Sequence, residues 1–228
     1  MKKGAVISSS DPNCALKISN LHPTWYYTWG PAGVATPSSV PFTPMCWGAN
    51  SLAKVSPSPV LLGFNEPDGA AQSNLTVEQA LSLWPSVVAL GDRIGSPATA
   101  GNASKPGSWL ETFMAAGPKV DFVCVHWYAP PNADSFLAQI DATWAKYGKP
   151  IWVTEFAPAD WAGKYPGGYP VDQVKAFMKA ACAGLESRTY VERYAWKTRA
   201  TDDVHMGTSG LFNSDGSLTE LGVMYSEI

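Results

Sequence analysis

The sequence predicts an α/β fold of the (β/α)8 TIM-barrel class, small, with short loops and reduced helices in its first half, occupying residues 1–228 as one domain. Three observations predict it. Strand candidates recur about every 20 to 35 residues, with helical patterns or turns between them. Eight such strands can be counted, the number a closed parallel barrel needs. No glycine-rich phosphate loop follows the first strand, which disfavours the alternative of an open doubly wound sheet.

The elements follow in order. The first strand is residues 4–7, and a short helix covers 14–18 after the turn at Asp11-Pro12-Asn13. The second strand, residues 24–29, stops at Gly30-Pro31, and the Pro- and Ser-rich stretch 31–41 reads as loop. A third strand is predicted over 42–47 although Pro44 removes one ladder donor, and a short helix over 50–55 follows. The fourth strand is 60–65. Thr76-Val77-Glu78-Gln79 is a capping box that opens a helix to about residue 90, with Pro85 expected to kink it.

The fifth strand is 93–97, followed by a loop over 98–107. Ser108-Trp109-Leu110-Glu111 is a second capping box, for a helix ending at Gly117. The sixth strand is 120–128, and the helix over 134–147 places Phe136, Ile140, Trp144 and Tyr147 on one face before Gly148 stops it. The seventh strand is 151–155, the next helix 171–185 and the eighth strand 191–198. After a loop over 200–216, a last helix is expected over 218–226.

Composition excludes several function classes. Hydrophobic residues make up 46% of the 228, enough for one sizeable core, and the net charge is −3 with no basic run, so the footprint of a nucleic-acid binder is missing. No apolar run reaches the roughly 20 residues of a membrane span. Cys14, Cys46, Cys124 and Cys182 are widely spaced with no CxxC pair; their number permits two disulfides without requiring any. With three histidines (His22, His126 and His205) no metal centre is expected. Met1-Lys2-Lys3 is basic but leads into no apolar signal region, which fits either an intracellular protein or a mature domain whose signal has been removed. The unusual feature is the aromatic content, 10 Trp, 9 Tyr and 8 Phe, which serves equally as core or as a stacking surface for sugar rings.

Two strands end alike. Leu61-Leu62-Gly63-Phe64-Asn65-Glu66-Pro67-Asp68 and Ile151-Trp152-Val153-Thr154-Glu155-Phe156-Ala157-Pro158 each run apolar, reach a glutamate and meet a proline. A carboxylate at the tip of a buried strand is costly unless it is paired or used. In a barrel the C-terminal strand ends form the active face, and Glu66, Tyr128, Glu155 and Trp196 all fall near such ends. By strand alternation, Leu62, Phe64 and Glu66 are predicted to share one face, as are Ile151, Val153 and Glu155, and Cys124, His126 and Tyr128. Two glutamates facing one cleft are the equipment for breaking a glycosidic bond: one donates a proton to the leaving oxygen, and the other attacks the anomeric carbon or activates water. Asn65 is placed to hydrogen-bond a sugar 2-OH.

These stretches, with Ser96-Pro97-Ala98, Val125-His126-Trp127-Tyr128 and Asn213-Ser214-Asp215-Gly216-Ser217-Leu218-Thr219, together resemble glycoside hydrolase family 128, small β-1,3-glucanases of clan A, along essentially the whole chain. The resemblance implies a retaining β-1,3-glucanase with Glu66 as acid/base and Glu155 as nucleophile, and the short βα loops suggest an open groove, hence an endo-β-1,3-glucanase. It implies that Asn65 binds the 2-OH, that Tyr128 holds Glu155, and that Trp196 is the stacking floor. His126 joins the substrate-binding candidates, and Trp25, Tyr26, Tyr27, Trp29, Trp47 and Trp161 are the aromatic subsite candidates. No cofactor is implied. The expected partner is β-1,3-glucan, with no nucleic acid or membrane; a monomer acting outside the cell or in the cell wall is expected. The alternatives are a non-catalytic glucan-binding protein on the same scaffold, or a glycosidase of exo action or other linkage.

Overall fold

Parallel strand pairing runs through the whole chain in a computed structural model that describes residues 2–36 and 40–228; residues 37–39 of the predicted 31–41 loop, and Met1, lie outside these. In order come β1 (Lys3–Val6), α1 (Cys14–Asn20), β2 (Trp25–Tyr27), a 3-10 turn (Ala49–Lys54), β3 (Ser58–Leu61), α2 (Val77–Val88), β4 (Gly91–Ile94) and α3 (Trp109–Ala115). Then follow β5 (Val123–Ala129), α4 (Ala133–Tyr147), β6 (Ile151–Pro158), α5 (Val171–Ser187), β7 (Val191–Lys197), a second 3-10 turn (Gly207–Ser209) and α6 (Glu220–Glu227).

Regular ladders join β2-β1-β7-β6-β5 and, separately, β3-β4. Isolated parallel bridges span the gaps between them: Tyr26 with Phe42, Met45 with Leu62, and Gly95 with Phe122 and Thr99 with Val125. The predicted third strand, 42–47, is therefore a stave of single bridges and not a regular strand, because Pro44 has no N–H to donate. The fold is of the (β/α)8 class, with its regular helices concentrated in the second half.

Capping chemistry sets the helix ends. Thr76 and Gln79 form the predicted reciprocal box, at 3.2 and 2.9 Å. Ser108 caps the Glu111 N–H, but the Glu111 carboxylate reaches back one residue further, to the Gly107 N–H, so the second box is half formed. Gly148 stops α4 in the left-handed conformation, at φ 60°.

Two apolar layers result. Val6, Trp25, Tyr27, Leu62, Phe122, Cys124, Trp152 and Ala195 fill the interior of the ring, while Phe64, Val125, Ile151, Val153, Tyr194 and Trp196 pack outward with the residues of the helices. All four cysteines are buried and free. The seam between first and last strands is locked by α6. Tyr225 donates its hydroxyl to the Gly4 carbonyl (2.8 Å) and accepts from the Trp196 N–H (3.1 Å), and Lys3 Nζ donates to the carbonyls of Tyr225 and Ser226, each at 2.9 Å.

Candidate active site

The two glutamates do converge, but not by the alternation the sequence predicts. Phe64 faces outward, stacked edge-on against Trp84 of α2, while Leu62 faces the interior. The break lies at Gly63, where a Cβ would stand 2.8 Å from the carbonyl oxygens of Gly95 and Ser96. Glu66 is then turned by a positive φ of 42°, an uncommon conformation for a residue with a side chain. Its loop is tied across by Asp68, whose carboxylate accepts from the N–H groups of Ala100 and Gly101, at 2.8 and 2.9 Å.

On β6, Ile151 and Val153 also face outward, contrary to prediction. Glu155 nonetheless points inward because the register slips: Val153 pairs with Val125 and Tyr194, whereas Glu155 pairs with His126 and Phe156 with Trp196. Thr154 is the extra residue, and this one-residue bulge reverses the faces beyond it.

The resulting site is dense with polar contacts. His126, buried on β5, stands between the carboxylates: Nδ1 is 2.8 Å from Glu66 Oε1, and Nε2 is 3.4 Å from Glu155 Oε1, off line for a hydrogen bond. Glu155 Oε1 accepts from the indole N–H of Trp29 at 2.6 Å and the hydroxyl of Tyr27 at 3.4 Å; Glu155 Oε2 accepts from the hydroxyl of Tyr128. Burial pushes the Glu155 carboxyl up, but the charges of His126 and Lys197 and the Trp29 and Tyr128 hydrogen bonds outweigh it, and its pKa falls below the ordinary glutamate value. For His126 burial acts downward, and the two glutamates reverse it, so its pKa is raised. Tyr128 and Tyr27 are held firmly as neutral phenols, first by burial and then by Glu155.

A cleft of about 480 Å³ opens over these groups. Its aromatic walls are Trp29, Trp47, Tyr128 and Trp161; Asn65, Glu66, Gln72 and Glu155 supply oxygen and amide groups, and Lys197 and Arg199 supply positive charge. Asn65 gives its Nδ2 to Gln72 Oε1 at 3.2 Å and keeps a buried Oδ1 with no partner among the described residues. Exchanging oxygen and nitrogen in both amides preserves their mutual bond and presents a donor instead. A sugar hydroxyl can satisfy either.

Of the predicted site residues, Glu66, Glu155, Asn65, Tyr128, Trp29, Trp47 and Trp161 line this cleft. Five do not. Tyr26 packs outward against Phe42 with its hydroxyl on the Val34 carbonyl. Trp196 faces outward, packed against Phe156 and Phe177 with its indole N–H on the Ser209 carbonyl, so it is no stacking floor. Trp25 lies deep in the ring, stacked on Tyr27, its N–H on the Lys2 carbonyl, with Arg193 over its other side. Tyr27 and His126 are buried beneath the carboxylates, in contact with them and outside the cleft lining.

Lys197, Arg199 and Gln72 were missed, and Trp29 acts through its N–H as well as its face. The signal for Lys197 was present in β7. With the large Tyr194 and Trp196 on one face and the small Ala195 on the other, Lys197 must share the interior face with Ala195.

Comparison with known proteins gives concordant likenesses. Residues 4–225 match the family model described as the glycosyl hydrolase catalytic core. Alkali-sensitive linkage protein 1 of Schizosaccharomyces pombe is 33% identical over 244 residues, a match covering 98% of this chain but 44% of that protein; the chain thus spans less than half the length of this curated relative. A subgroup I endo-β-1,3-glucanase of glycoside hydrolase family 128 from Amycolatopsis mediterranei, solved with laminarihexaose, superposes with a TM-score of 0.85 at 33% identity, covering 99% of this chain and 98% of that one. A subgroup V exo-β-1,3-glucanase from Cryptococcus neoformans gives 0.82 at 25% (99% and 98% covered), and a subgroup VII oligosaccharide-binding protein from Trichoderma gamsii gives 0.80 at 26% (99% and 93%).

Proposed function

Since the chain belongs to the glycosyl hydrolase catalytic-core family, within glycoside hydrolase family 128, we propose that it hydrolyses β-1,3-glucan as a retaining endo-glucanase, with Glu66 as acid/base and Glu155 as nucleophile. The observation that carries this reading is the imidazole of His126 set between two carboxylates at the floor of one cleft, with one of them held ionised by several donors.

In the first step a Glu155 oxygen bonds to the anomeric carbon. The glycosidic C–O bond breaks toward the leaving oxygen, which takes the Glu66 proton. In the second step Glu66 removes a proton from water, the water oxygen attacks the anomeric carbon, and the ester's electron pair returns to Glu155. Two inversions return the original anomer. Retention calls for carboxyls about 5–5.5 Å apart and inversion for about 6.5–9.5 Å, and the first-formed anomer distinguishes the two. Trp29, Tyr27 and Tyr128 keep the nucleophile aligned. Trp47 and Trp161 offer flat faces to the sugars beside it.

Endo action is proposed on the open cleft and on the likeness to the Amycolatopsis enzyme. The exo and binding-only relatives frame the alternatives. The deciding experiment is product release from linear and branched β-1,3-glucans beside a cellulose-type control, with chain length followed over time and the first-formed anomer read by NMR. Early mixed oligosaccharides in the β-configuration, lost in Glu66→Gln and Glu155→Gln, support the whole reading. One short product from a chain end rejects endo action. Binding without release from any glucan moves the protein to the non-catalytic class. The proposed setting is a monomer acting on glucan outside the cell or in a wall; sizing chromatography tests the first point and assay of the secreted fraction the second.

A further inference from the structure

We propose that Lys197 is a positioning residue for Glu155: it fixes the Trp29 indole by stacking on it, and it supplies a counter-charge for the negative charge that the reaction moves between the two glutamates. This rests on the glycosidase reading above.

The geometry is specific. Lys197 Nζ lies 3.8 Å from the centroid of the Trp29 ring, close for a cation–π contact. The same indole donates its N–H to Glu155 Oε1 at 2.6 Å. The ammonium therefore presses on the ring whose edge holds the nucleophile. Trp29 takes a backbone φ of 58°, unfavourable for a bulky residue, and so needs such contacts to keep it in place. Among the described residues Lys197 donates no hydrogen bond and closes no ion pair within 4.0 Å.

Charge accounting gives the second half. The groups that face Glu155 are Tyr27 from β2, Glu66 from beyond β3, His126 and Tyr128 from β5, and Lys197 from β7. Lys197 itself faces Glu155, Glu66, Arg199 and Asp203. In the state that reacts, the retaining mechanism puts the negative charge on Glu155 and the proton on Glu66. Once the glycosyl ester forms, Glu155 is neutral and Glu66, having given up its proton, carries the charge. Hydrolysis returns it. A cation lining the same cleft as both carboxylates serves both halves of the cycle. The retaining mechanism itself calls only for the two carboxyls.

The test is Lys197→Met, which keeps length and removes charge, beside Lys197→Arg, which keeps charge. Carboxyl 13C NMR of glutamate-labelled protein, with Glu155 assigned through Glu155→Gln, reads the titration without any turnover. The Glu155 midpoint is expected to rise by about one pH unit in Lys197→Met, the usual scale for loss of a nearby opposite charge, and to return toward wild type in Lys197→Arg. The acid limb of kcat/KM moves upward with it, while KM changes little. An unmoved midpoint in folded Lys197→Met overturns the proposal, as does a raised KM with an unmoved acid limb, which makes Lys197 a sugar contact only. If Lys197→Met does not fold, Lys197→Gln gives the same reading. A wild-type protein that binds glucan and never cleaves it fails the glycosidase reading alone, because the carboxyl titration stays readable.

Discussion

His126 holds Glu66 by its Nδ1 at 2.8 Å and stands 3.4 Å from Glu155 by its Nε2, so one buried ring senses both carboxylates. Its raised pKa means that its stabilising contribution is complete below the unfolded histidine value of about 6.5 and is lost as pH rises through the folded value. For Glu155, whose pKa is lowered, the contribution is present above the unfolded value of about 4.3 and is lost as pH falls through the folded one. The stability gap between wild type and His126→Asn is therefore predicted to be widest between these limits and to narrow toward alkaline pH. Urea midpoints from pH 4 to 9 measure it; a gap that widens above pH 7 would contradict the assignment.

Gly63→Ala is predicted to cost about 2 kcal/mol or more, because its Cβ would meet backbone, at 2.8 Å from two carbonyl oxygens, and not a yielding side chain. The same shift moves Glu66, three residues on. Denaturant unfolding should show lost stability together with lost turnover. Full activity at reduced stability would show that the strand spacing at Gly63 does not set the glutamate.

Trp161 and Trp196 are predicted to separate affinity from stability. Trp161 is 57% exposed on the cleft rim, and Trp161→Ala should raise KM by about fivefold to tenfold with little change in Tm. Trp196, 1% exposed, leaves a large cavity when truncated; Trp196→Ala should cost about 3–5 kcal/mol, and partial refilling by Trp196→Phe should restore KM to wild type. A KM defect in folded Trp196→Phe would return that residue to the cleft.

The four buried thiols are predicted to ignore both reductant and thiol reagent. Burial raises the Cys14 pKa to about 11, so little reactive thiolate forms near neutrality. Ellman's reagent should count no thiol in the native protein and four after unfolding, and dithiothreitol should leave Tm unchanged. A native count above zero would mean that one of these sites opens.

The strand ends were legible because an apolar run reaching Glu and then Pro has few other uses. Thr76 and Gly148 were legible through capping chemistry. Depth and parity were not. Trp25 and Trp47 look alike in sequence, yet one is near the base of the ring and the other at the mouth. Alternation assumed unbroken strands, whereas Gly63 and the bulge at Thr154 each reset the faces. Glu66 and Glu155 reached the cleft through those breaks, while Trp196, assigned to the cleft by resemblance, lies on the outward face of β7, and Lys197 takes the inward position.

The seam at Gly4, Trp196 and Tyr225 has a bearing on how the ring is made. The Lys3–Tyr225 bond closes across a separation of 222 residues, and no nearer segment supplies its partner. On the ribosome β1 must keep one edge unpaired until β7 (Val191–Lys197) has been synthesised, exposed to every other strand in reach. Contacts this distant along the chain slow folding. Joining α6 to β1 through a short linker and opening the ring elsewhere would turn the last contact to form into a local one, and the permuted chain would close its ring early in synthesis.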